Sequence, residues 1–156
     1  LISRQFTEIL RTGSVKQETQ NPIHAFNYMQ AASNLERIAD HAHRIAQIAR
    51  EYNCTLADDL KEELMDMEVQ LCGFIDDAIS YLLQTNSDKA NEMIDLIREI
   101  QKSAARITVT SDSLGKSEML ERLVLAASLE RMFDYIMNIG ELTINLSHST
   151  KQAEKG

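Results

Sequence analysis

"LERIADHAHRIAQI", residues 35–48, has a near twin later in the chain, "LERMFDYIMNIGEL", residues 129–142. The two align at a constant offset of 94, which carries Glu36 onto Glu130, Arg37 onto Arg131 and Asp40 onto Asp134 without a gap. Around them Ala32 meets Ala126, Leu35 meets Leu129, Ile38 meets Met132 and Ile45 meets Ile139. A core helix needs only apolar residues at its buried positions. It has no need of the same Leu-Glu-Arg and the same Asp twice. The match therefore reads as an internal duplication built on helices.

Composition agrees. The 156 residues hold a single proline, Pro22, and only five glycines, and strong helix formers dominate. Apolar spacing predicts a helix from Pro22 to about Tyr52, with Asn21 as cap and an apolar set of Ile23, Phe26, Ala32, Leu35, Ala39, Ala42, Ile45, Ala46 and Ala49. A second follows Thr55 or Asp58 with Leu56, Leu60, Leu64, Met67, Leu71, Phe74, Ala78 and Leu82 inward. "QTNSDK" ends it, and Ser87 is expected to cap a third helix carrying Ala90, Ile94, Ile97, Ala104 and Ile107. The β-branched "ITVT" reads as that helix's tail. Ser117 is expected to cap a last helix running to about His148. Short connections force antiparallel neighbours, so the fold class is all-α, an elongated bundle.

The first residues, "LISRQFTEIL", already follow helical spacing through Ile2, Phe6, Ile9 and Leu10 without a start signal. We read 1–52 as part of a first three-helix repeat and 53–156 as a complete second one. The first has lost its opening helix and part of the next. That loss should leave apolar surface on the 22–52 helix, which a second copy would cover.

Net charge is −8 and the isoelectric point about 5.0. Such a chain repels phosphate backbones, so nucleic acid is not an expected partner. No apolar run is long enough to span a membrane, and no signal peptide is evident. Two cysteines make no disulfide framework. Cys72, within "VQLCGFI", reads as a buried thiol and Cys54 as a loop residue, which fits a reducing cytoplasm. The seven methionines read as core filler.

Two carboxylates four residues apart share one helical face, so both can reach one hard cation. Arg37 and Arg131 offer the alternative, a salt-bridged surface. His43 lies three residues beyond Asp40, and Glu36, Asp40 and His43 together suggest a ferritin-like di-iron site. The matching position in the second copy is Met137, which cannot replace a histidine there. No Ser-His-Asp set, Gly-rich loop or Walker motif is present, so the chain does not read as an enzyme.

"LERIADHAHRIAQ" and "LERMFDYIMNIGE" together resemble the paired signature of the PhoU family of phosphate-uptake regulators, with archaeal members the most alike. Ala39 and Phe133 stand where that signature usually has glycine. The resemblance implies tandem three-helix bundles, frequent homodimers and a metal-binding motif of the form Glu/Asp-x-x-x-Asp. Carried over by position, its ligands are Glu36 and Asp40 in the first repeat and Glu130 and Asp134 in the second. Glu92 and Asp95 are a degenerate contribution from the preceding helix. Iron, zinc, magnesium, manganese or calcium are the ions implied. The partners implied are a phosphate transporter ATPase and a sensor kinase, met by a non-enzymatic regulator in the cytoplasm.

Overall fold

The computed structural model describes residues 22–52, 58–104 and 116–153, and all but a two-residue turn of these are helical. We name the helices α1 (Pro22–Tyr52), α2 (Asp58–Gln84), α3 (Ser87–Ala104) and α4 (Lys116–Ala153). The all-α reading stands: no strand occurs among the described residues. Helix α4 is the hub. It packs against each of the other three, α2 and α3 also pack together, and α1 meets only α4 among the described helices.

The heptad-like spacing of α2 works as expected. Met67, Leu71, Ala78 and Leu82 are buried and Leu64 and Phe74 partly so. They face Met93 and Ile97 of α3 and Met132, Phe133, Ile136, Ile139 and Leu146 of α4 in one core. Phe133 is fully buried and meets Phe74 edge-on, with ring centroids 6.5 Å apart at 73°. Gly140 lets α3 approach closely. A Cβ there would lie 3.0 Å from Ile94 Cδ1 and 3.1 Å from Met93 Cε.

The α2–α3 connection is a two-residue turn, Thr85 and Asn86. Thr85 has φ 54° and forms the left-handed C-cap usually given to glycine. Asn86 N–H donates to Tyr81 O at 2.9 Å and Thr85 N–H to Leu82 O at 3.2 Å, so the last carbonyls of α2 are satisfied. Asn86, not Ser87, caps α3, because its Oδ1 accepts from Lys89 N–H at 3.1 Å. Ser87 Oγ instead lies 3.3 Å from Ser147 Oγ and ties α3 to α4. Helix α4 begins at Lys116, before the expected cap Ser117, and extends beyond His148 to Ala153.

Several burial expectations fail. Cys72 is exposed, not buried, because it lies off the face of α2 that carries Leu71 and Phe74. Phe26 is exposed, and so are Ala39, Ala42, Ala46 and Ala49. The buried side of α1 is set by Asn27, Ala31 and Ile38, with Tyr28, Leu35 and Ile45 packed beside them. An apolar stripe wider than the one neighbour it meets cannot all be covered. Met67, Met93 and Met132 are core residues as expected, but Met65 is exposed. The ends of the expected apolar sets (Ile23, Leu56, Leu60, Ala104 and Ile107), together with residues 1–12, Cys54 and "ITVT", lie outside the residues or side chains described.

Candidate functional site

The duplicated acidic pairs lie on α1 and α4, which begin at Pro22 and Lys116 and so keep the repeat's register. Signature leucines Leu35 and Leu129 pack against the core from both helices. That orientation turns the next residues outward, and Glu36, Asp40 and Glu130 are exposed. Asp134 is the exception, with its side chain 36% exposed.

Asp134 is held from a neighbouring helix. Gln101 of α3 donates through Nε2 to Asp134 Oδ1 at 2.9 Å and reaches the Glu130 carbonyl oxygen at 3.4 Å. Arg131 Nη1 stands 3.6 Å from Asp134 Oδ2. One amide thus fixes the register of α3 against the signature of α4. Gln101 was not among the candidates drawn from sequence. Its signal was available: it continues the Ile94, Ile97 stripe at helical spacing, where a polar residue needs a reason.

In the first copy the arginine behaves differently. The Arg37 guanidinium carbon lies 5.9 Å from the centroid of the Tyr135 ring on α4, within the range of a cation–π contact. His41 meets the same ring at 5.9 Å and 38°. His41 and Tyr135 are equivalent in the repeat, so matching positions of the two copies touch each other. His41 Nδ1 is buried there without a hydrogen-bond partner.

The degenerate pair on α3 is engaged locally. Glu92 Oε2 pairs with Lys89 Nζ at 2.7 Å, and Asp95 Oδ1 with Arg98 Nη1 at 3.2 Å. The Glu92 hydrogen bond holds the Lys89 ammonium above its usual range. Both acids line an open, shallow depression along α3 with Leu96, Glu99, Gln101 and Lys102.

Among the described residues no three His, Cys, Asp or Glu side chains converge as a metal cage. Each signature pair presents two carboxylates four residues apart on one helix. A di-iron centre would draw carboxylates and Glu-x-x-His ligands from facing helices. His43 is exposed beside Asp40, and no such ligand set gathers around it among the described residues.

The PhoU domain family matches residues 1–49, the segment that contains the first signature copy. The chain is also 26% identical over 127 residues to the phosphate-specific transport system accessory protein PhoU homolog of Clostridium acetobutylicum, covering 78% of this chain. The chain is similar to the PhoU family in these respects. It spans 58% of the length of that relative. No solved structure matches it significantly. Among the described residues the duplicated segment sits on two of four helices, with its leucines turned inward and most of its acids outward. No helix among the described residues is long and apolar enough to cross a membrane.

Proposed function

We propose that this chain is part of a phosphate-transport accessory regulator, a non-enzymatic helical adaptor of the cytoplasm that docks on a transporter ATPase and a sensor kinase. The observation that carries this reading is the outward presentation of the duplicated acids. Glu36, Asp40 and Glu130 stand in solvent on rigid helices, next to a packed core. Charges so placed contribute little to stability. They suit recognition of a cationic surface or ion instead. The relative's printed role as a transport accessory protein supports the same direction.

Two further elements belong to the proposal. Each signature pair takes one hydrated divalent cation, with Glu130 and Asp134 the better prepared because Gln101 already orients Asp134. The intact protein is a homodimer, a reading supported by the uncovered alanine face of α1 at Ala39, Ala42, Ala46 and Ala49.

Co-purification of the intact protein with its transporter ATPase and sensor kinase tests the docking reading, and stable complexes are expected. Failure to bind either would sink it. Metal titration followed by calorimetry tests the ion sites separately. Light scattering tests the dimer, and a monomer at every concentration would refute it.

A further inference from the structure

The outward side of α2 carries exposed apolar residues at helical spacing, Met65, Val69 and Cys72, with Leu83 on the same side three turns further on. Met65 is 66% exposed, Val69 74% and Leu83 66%, with exposed Cys72 between them. The 18 residue steps from Met65 to Leu83 span roughly 27 Å at about 1.5 Å per residue, with exposed Asp76 on the same line between Cys72 and Leu83. The opposite side of the same helix, through Met67, Leu71, Ala78 and Leu82, is the core. Two apolar stripes on opposite sides are more than this helix needs to fold, since its place in the bundle uses one.

Charge says what would cover the outer stripe. Helix α2 holds eight acidic residues against one lysine, Lys61, and so carries nearly all of the chain's −8. Helix α3 has four acids against three bases, and pairs them on its own surface as Lys89–Glu92, Arg98–Asp95 and Lys102–Glu99. Helices α1 and α4 are also close to neutral, with three acids against three bases and five against four. Exposed Glu62, Asp66, Glu68, Asp76 and Asp77 lie along or beside the apolar stripe.

We infer that this face of α2 docks a basic amphipathic helix of a partner protein. Apolar side chains of the partner meet Met65, Val69 and Leu83, and flanking lysines or arginines meet the acids. A second copy of this chain is disfavoured, because two α2 faces brought together would set acid against acid. The inference rests on the adaptor reading and adds to it the place and chemistry of one contact.

Cys72 lies within the stripe and reports on its occupation. The full chain is mixed with an 18-residue helical peptide of leucine and lysine, apolar on one side. Alkylation of Cys72 and Cys54 is followed by mass spectrometry of digests. Cys72 modification is expected to slow at least tenfold while Cys54 is unchanged. A scrambled peptide of the same composition should give little protection. Met65→Ser with Val69→Ser should weaken peptide binding at least tenfold, and Leu123→Ser, which alters an exposed leucine on α4, should leave it unchanged.

Equal protection by the scrambled peptide would overturn the inference, since charge alone would then suffice. So would no protection. So would Cys72 protection that rises with protein concentration without peptide, which would assign the face to a second copy. If co-purification with the ATPase succeeds while the peptide fails, this face falls and the adaptor reading stands. If the ATPase and the kinase both fail to bind, the adaptor reading falls whatever the peptide does.

Discussion

Helices α1 and α4 carry the same signature, yet one is wrapped and the other half bare. Ile136, Gly140 and Thr143 of α4 are buried; their repeat equivalents in α1, Ala42, Ala46 and Ala49, are exposed. Phe133, fully buried, corresponds to exposed Ala39. The signature residues themselves are treated more alike. Leu35 and Leu129 pack inward, and Glu36 with Glu130 and Arg37 with Arg131 face out. The comparison teaches that the signature sets which side of the helix points outward. The residues between its members record how many neighbours the helix has. Alanine suits the bare side because it stabilises helix at little cost when solvated.

The largest effect should come from the most contrasting pair. Phe133→Ala is expected to lose about 3–5 kcal/mol in chemical denaturation, since it empties a sealed core position. Ala39→Phe, which puts the same ring at the equivalent place on α1, should change the stability of the monomer by no more than about 0.5 kcal/mol. At concentrations that favour the proposed dimer the same substitution should cost more than about 1 kcal/mol by crowding the covered face, and a cost that does not change with concentration would count against that interface.

Gly140 and Ala46 give the next contrast. Gly140→Leu must push into Ile94 and Met93 and should cost about 1–3 kcal/mol. Ala46→Leu on the exposed side should be near neutral. Gly140→Ala should lie between them, because a gain of about 1 kcal/mol in helix propensity offsets the crowding of two flexible side-chain ends. Comparable losses at Gly140→Leu and Ala46→Leu would erase the distinction between the two helices.

Asp134 and Asp40 give the smallest. Gln101→Ala removes a hydrogen bond to a half-exposed carboxylate and should cost about 1 kcal/mol. A double-mutant cycle with Asp134→Asn should assign most of that to the pair. Asp40→Asn, at an exposed position, should be silent within about 0.5 kcal/mol.

Much of this was legible in the sequence. The four helices, the inward side of α2 and the repeat register follow from periodicity, because a heptad-like run such as Leu64, Met67, Leu71, Phe74 admits one packing side. What periodicity could not supply was the number of neighbours. Cys72, Phe26 and the α1 alanines look buried in any apolar count, yet their exposure depends on which helices lie beside them. The α3 cap went to Asn86, one residue before the expected Ser87, because Thr85 already turns the chain left-handed. The tie from Gln101 to Asp134 joins residues 33 apart in sequence, which no local pattern encodes.

We propose that the duplicated acids are recognition surface rather than scaffold. Reversing them in the intact protein, with Glu36→Lys and Asp40→Lys in one variant and Glu130→Lys and Asp134→Lys in another, tests this directly when affinity for the transporter ATPase is measured alongside thermal unfolding. The account predicts at least a tenfold loss of affinity in each variant, with unfolding within a few degrees of the parent. Unchanged affinity in both variants, with the fold intact, would contradict it.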